Sequence, residues 1–151
     1  MRMLIQRVAQ ARVEVAGQVV GEIGPGLLGL LGITHDDGPA DAAYLIKKLL
    51  NLRIFSDEAG KMNHSVQEVG GGLLIVSQFT LYGSTQKGNR PSYTRSAPPT
   101  VAIPLYEAFL ADLRQQFDGP VESGEFGAAM AVHLLNDGPV TLMLDSQQRD
   151  W

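Results

Sequence analysis

Cysteine is absent from the whole 151-residue chain. That excludes disulfides, thiolate nucleophiles and thiolate-ligated metals together, and it fits a reducing compartment. Long apolar runs are missing as well. No stretch approaches the ~20 apolar residues that a membrane-crossing helix needs. The longest run, Leu27 to Ile33, is interrupted by Gly29 and Gly32. The opening Met1-Arg2-Met3-Leu4 carries no signal-like apolar core. A cytoplasmic protein with no membrane partner is the expectation.

Positive charge is also in short supply: 12 Lys and Arg stand against 16 Asp and Glu, for a net charge of −4. A surface coated in nucleic acid normally needs a basic excess, so broad nucleic-acid binding is disfavoured. Contact with one end of an RNA is not. The three histidines, His35, His64 and His133, lie too far apart in sequence for usual metal-ligand spacing. There is no G-x-S-x-G elbow and no phosphate-binding loop. Gly24-Pro25-Gly26-Leu27-Leu28-Gly29 spells G-x-G-x-x-G, but a strand-like apolar run follows it, and Tyr44 stands where a ribose-binding acid would be wanted. A glycine turn is the simpler reading. Asn63-His64-Ser65 is a glycosylation sequon by spelling only. No metal and no cofactor are expected.

What remains is an ordinary globular composition, 44% apolar and 19% charged. The length suits one domain over residues 1–151. Met3 to Val8 reads as a strand, and Ala11 to Ile23 as a hairpin turning near Gly17. Leu27 to Ile33 and Leu73 to Val76 read as buried strands, and Arg53-Ile54-Phe55 as a short strand ended by a turn at Asp57 to Gly60. Gly38-Pro39 opens a helix with Ala42, Leu45, Ile46 and Leu49 on one face. A second helix follows Pro98-Pro99, with Pro104 marking a kink or a restart. Two closing strands, Met130 to Leu135 and Val140 to Leu144, flank the turn Asn136-Asp137-Gly138-Pro139. The alternation of a doubly wound parallel sheet is missing. The fold class is therefore α+β, a single compact domain with a mostly antiparallel or mixed sheet and two main helices.

Three stretches carry chemistry. Ser77-Gln78-Phe79-Thr80 emerges from a buried strand, where hydroxyl, amide and backbone N–H groups can meet a substrate. Thr80 is a possible nucleophile without an adjacent base; a strand end capped by hydroxyls is the plainer alternative. Asn136-Asp137-Gly138-Pro139-Val140-Thr141 is a turn, on plain grounds a hairpin-like connection. The loop Ser84 to Ser96 holds Lys87, Arg90 and Arg95, no acid, and Tyr93. Cations beside an aromatic ring suit phosphates and stacked bases; a solvated loop is the alternative.

Taken in order, Arg7-Val8, Arg53-Ile54-Phe55, Gly60-Lys61-Met62-Asn63, Ser77-Gln78-Phe79-Thr80, Lys87-Gly-x-Arg90-Pro-Ser, Phe126-Gly-Ala-x-Met130 and Asn136-Asp-Gly-Pro-Val-Thr141 resemble the D-aminoacyl-tRNA deacylase family. Gly83-Ser84 replaces the family's more usual Ala-Asp, and Tyr93 stands where Phe is common. The resemblance implies hydrolysis of D-aminoacyl-tRNA, and glycyl-tRNA with it, because glycine has no Cβ to exclude. It implies a homodimer with active sites at the interface. Catalysis falls to Ser77, Gln78, Phe79 and Thr80, and substrate binding to Gly138, Pro139, Met130 and Arg7. Lys87, Arg90 and Arg95 would hold the tRNA near its 3′ end. It further implies a cis Gly138–Pro139 bond whose backbone carbonyls face the substrate's amino group from the other subunit. An RNA-end or small-molecule binding module and a Ser or Thr esterase for ordinary small esters are the competing functions.

Overall fold

A computed structural model describes residues 1–150. Strand β1 (Arg2–Val15) organises the sheet. Its odd-numbered residues Met3 and Ile5 point into the core, as strand alternation requires. Along one edge it pairs antiparallel with β3 (Gly26–Gly32) and then with β2 (Gln18–Ile23). Its other edge is taken by β8 (Met130–Asp145), antiparallel over nearly the full length. Strand β6 (Gly72–Ser77) adds parallel to β3, and β7 (Val121–Ser123) adds parallel to β6. A small separate ribbon joins β4 (Phe55–Ser56) to β5 (Met62–His64).

The sheet is therefore mixed. Its parallel part follows from two long connections, each carrying a helix: α1 (Pro39–Asn51) between β3 and β6, and α2 (Pro99–Gln116) between β6 and β7. The sequence shows no doubly wound alternation, but it does not reveal this local parallel trio. Both helices cover one face, where Met3, Ile5, Leu27, Leu31, Leu73 and Ile75 meet Leu45, Leu49, Phe109 and Leu113. The opposite face curls on itself around Val8, Val13, Leu28, Leu74 and Val76. The curl brings β2 against β7 closely enough that a Cβ on Gly21 would lie 2.7 Å from the Ser123 carbonyl oxygen. The result approaches a barrel.

Three expectations change. Pro104 does not restart α2, which is continuous from Pro99 to Gln116. It sits in the second turn, where its missing N–H forfeits a single hydrogen bond. The short strand after α1 is Phe55–Ser56, because Arg53 is turned to Asn63, with its Nε 2.7 Å from the backbone oxygen. The two closing strands are one. Gln6 faces Thr141 and Val8 faces Asn136, so both flanks continue along the same strand β1, and residues 137–140 bulge out of it. A hairpin would have sent the second flank back along the first.

Candidate active site

Strand β6 is buried from Leu73 to Val76 and leaves the core at Ser77. The Gln78 N–H makes a last sheet-like bond to the Leu31 carbonyl, 2.7 Å, and the chain then tightens into a 3-10 turn, Phe79–Tyr82. A cavity of about 620 Å³ opens there, between the helix-covered core and the curled face. That size is typical of small-molecule sites. Ser77, Gln78 and Phe79 line it, with Met130 and Val132 on the opposite wall. The Phe79 ring is 56% exposed and meets Tyr93 edge-on, centroids 5.0 Å apart. Thr80 does not line the cavity; its hydroxyl accepts a short hydrogen bond from the Gln78 side-chain amide.

Two features set the chemistry. Among the described residues, no His, Asp, Glu, Lys or Arg lines the cavity. Among the described residues, the backbone N–H groups of Phe79 and Thr80 have no acceptor, as the first N–H groups of a helical turn commonly do not. The site thus offers neutral donors and no acid–base pair. Such donors stabilise negative charge on an oxygen.

The turn is firmly held. Ser96 Oγ donates to the Phe79 carbonyl at 2.8 Å. Arg2 donates from Nη1 to the Leu81 carbonyl at 3.3 Å, stacks over the Tyr82 ring at 4.7 Å, and pairs through Nε with Asp145 at 2.7 Å. Burial, with the nearby Asp37 and Asp145 charges, pushes the Tyr82 phenol above its ordinary range. Beneath the strand, the Tyr106 hydroxyl donates to the Ile75 carbonyl at 2.9 Å, and burial pushes that phenol up to about 12.

Residues 4–145 match the family model described as D-Tyr-tRNA(Tyr) deacylase. The chain belongs to that family. It is 55% identical over 150 residues to the D-aminoacyl-tRNA deacylase of Akkermansia muciniphila, covering 99% of this chain and 100% of that one. It is 56% identical over 149 residues to the D-aminoacyl-tRNA deacylase of Thermus aquaticus, covering 99% and 97%. A solved structure of a c-Myc DNA unwinding element binding protein superposes with a TM-score of 0.91 at 41% identity, covering 96% and 98% of the two chains. That of a probable eukaryotic D-amino acid tRNA deacylase does so at 0.76 and 22%, which speaks for the fold alone.

Against the family pattern, the remaining site residues fall into two groups. Gly138 and Pro139 lie in the bulge on β8, outside the cavity of their own chain. The peptide between them is cis. Gly138 has φ +136°, and a Cβ there would lie 2.8 Å from a Val140 methyl, so only glycine fits. The Asn136 side chain closes the bulge by bonding both the N–H and the carbonyl of Val140, at 3.1 and 3.2 Å. Arg7 does not line the cavity either. It is 8% exposed, and it grips the bulge through the Asp137 carbonyl at 3.1 Å and the Asp137 carboxylate, while its other arm donates to the Ile54 carbonyl. The signal for that role was available: Arg7 continues the inward alternation of Met3 and Ile5, so its charge had to find partners inside.

Lys87, Arg90 and Arg95 are exposed and lie outside the cavity lining. Their loop is pinned by the Ser84–Ser92 bridge and by His35, whose Nε2 meets the Thr94 carbonyl at 2.9 Å. It reaches the cavity through Tyr93 and Ser96. Ser96 and Arg2 carried no sequence signal, since a serine in a polar loop and a strand-end arginine are common. No helix among the described residues is long and apolar enough to cross a membrane.

Proposed function

We propose that the protein hydrolyses the ester joining a D-amino acid to the 3′ end of tRNA. The observation that carries this is a cavity lined, among the described residues, by no acid or base, at the start of a turn whose first two backbone N–H groups are unclaimed, in a chain of the deacylase family. An aminoacyl ester is already activated, so charge stabilisation and positioning suffice. Water attacks the ester carbonyl, assisted by the 2′-hydroxyl of the terminal ribose. The Phe79 and Thr80 N–H groups hold the oxyanion. The bond to the 3′-oxygen then breaks, that oxygen takes a proton, and the amino acid leaves as its carboxylate. Water is favoured over Thr80 as the nucleophile, since Thr80 lies outside the cavity lining and no acid or base among the described residues lines that cavity.

Chirality is read by a second copy of the chain. The bulge at Gly138 and Pro139 does not line the cavity of its own chain, so a role there requires a partner. The exposed apolar residues Leu134, Leu135 and Leu142 on the same strand support a homodimer. A rigid backbone wall from the partner excludes an L side chain by clash while touching no side chain of the D enantiomer. Glycine escapes exclusion, so glycyl-tRNA is also cleaved. Lys87, Arg90 and Arg95 meet phosphates near the tRNA end.

The decisive experiment measures release of amino acid from D-, L- and glycyl-charged tRNA. D- and glycyl-tRNA are cleaved and L-aminoacyl-tRNA is spared. Equal cleavage of both enantiomers refutes the wall, cleavage of simple esters alone supports an ordinary esterase, and binding without turnover supports an RNA-end binding module.

A further inference from the structure

We propose that Ser96 is a positioning residue for hydrolysis: its hydroxyl holds the Phe79 carbonyl and thereby fixes the direction of the Thr80 N–H. The inference rests on the deacylase reading above and goes one residue deeper into it. The Phe79 carbonyl and the Thr80 N–H belong to one planar peptide, in which the two groups point in opposite directions. Fixing one fixes the other. Ser96 Oγ lies 2.8 Å from the Phe79 carbonyl oxygen. In a helical turn the N–H groups point toward its N-terminal side, here toward Ser77 and Gln78, which line the cavity.

Ser96 is itself well anchored. Its N–H bonds the Tyr93 carbonyl at 3.0 Å, it bridges to Thr34, and the next N–H, of Ala97, bonds the Ile33 carbonyl at 2.9 Å. The hydroxyl therefore reaches the turn from the β3 end of the sheet, independently of β6, which feeds the turn. The same loop sets Tyr93 edge-on against the Phe79 ring. Carbonyl and ring of one residue are thus held by one neighbouring segment. Oxyanion stabilisation depends steeply on donor direction, so a peptide free to tilt loses rate without losing substrate.

The test compares Ser96→Ala and Ser96→Thr with the wild type. Single-turnover hydrolysis of D-aminoacyl-tRNA is measured beside the affinity for two adenosine derivatives. One is a 3′-amide-linked D-amino acid, which mimics the ground state. The other is a 3′-α-aminophosphonate ester, whose tetrahedral anion mimics the oxyanion. Ser96→Ala should lower kcat and phosphonate affinity together, by about three- to tenfold, the weight of one hydrogen bond. Amide affinity and KM should stay within about twofold, and Ser96→Thr, which keeps the hydroxyl, should restore both losses. Ser96→Ala turning over at the wild-type rate overturns the proposal, and so does an equal loss of affinity for both analogues, which marks a loop anchor only. A wild type that does not release D-amino acid overturns it too, but by failing the deacylase reading before any variant is compared.

Discussion

Strands β1 and β8 lie side by side for most of their length, yet one is core and the other is surface. Ile5 and Leu142 are direct cross-strand partners; Ile5 is fully buried and Leu142 is 37% exposed. β1 has neighbours on both edges and helices over one face. Among the described residues β8, 16 residues long, pairs only with β1 and keeps its other edge open. A long open edge with exposed leucines is an aggregation hazard that proteins usually cover or blunt. β8 also bears the glycine-proline bulge that its own cavity does not use. Neither strand's role is simple: β1 lines no part of the cavity, while β8 gives it Met130 and Val132 at one end and carries the bulge outside it further along.

The largest effect is expected where that contrast is erased. Leu135, at 56% exposure, is the most open large hydrophobic residue on β8. Leu135→Lys should convert a particle of about twice 16.3 kDa into one of 16.3 kDa in a sedimentation experiment. Hydrolysis of D-aminoacyl-tRNA should fall by about a hundredfold or more, since a desolvated interface does not tolerate an unpaired charge. An active monomer would show that each chain is sufficient alone.

Next comes the pair that faces across the two strands. Ile5→Ala should destabilise the fold by roughly 2–5 kcal/mol, because the cavity it leaves is fully enclosed. Leu142→Ala should cost under about 1 kcal/mol in dilute protein, and the proposed homodimer requires a larger cost as concentration rises. Urea unfolding at two concentrations reads both. A concentration-independent cost at Leu142 would argue that nothing docks there.

A smaller effect is expected at Arg7, which ties the exposed strand to the buried one. Arg7→Ala frees the bulge from β1 and from the Ile54 carbonyl. Hydrolysis of D-substrates should drop by about ten- to a hundredfold, with some cleavage of L-substrates appearing as the wall loosens. Arg7→Lys should not rescue, because one ammonium cannot reach both partners of a forked guanidinium. Unchanged selectivity in Arg7→Ala would leave Arg7 a packing residue.

The same two strands explain what the sequence reveals and what it hides. Met3 and Ile5, the run Leu27 to Ile33, and the Leu45–Leu49 helix face are legible because burial imposes a period on apolar residues. β8 has no such period: Leu134 and Leu135 are adjacent and both exposed. Its continuity past residues 136–139 depends on pairing with a strand far away in sequence, and turn-forming residues mask it. That Ser77 to Phe79 open to a cavity was legible because polar residues follow a buried run. The motif also carried Thr80, which stands beside the cavity rather than in it. Ser96 and Arg2 act through backbone carbonyls, and a carbonyl leaves no trace in the identity of the residue that owns it.

The smallest effect lies at the far end of β8, where the strand turns inward again. Asp145 is 4% exposed and faces Arg2 across β1 and β8. Burial works to raise its carboxyl, but the hydrogen bond from Arg2 and those from the Gln147 and Gln148 N–H groups outweigh it and hold it below the ordinary carboxylate range. A folded value lower than the unfolded one means the unfolded chain binds the proton more readily. The stability that Asp145 contributes is therefore complete above its unfolded value of about 3.9 and is lost as pH falls through the lower folded value. Asp145→Asn should be less stable than the wild type near neutral pH, and the two unfolding curves should converge in that acid window. The slope of stability against pH should differ between them by no more than about 1.4 kcal/mol per pH unit, the weight of one proton. Because Arg2 also holds the Leu81 carbonyl, the variant should lose a little activity at neutral pH, less than Arg7→Ala. Curves that stay parallel down to the acid limit would show that the end of β8 is held by packing and not by its charge.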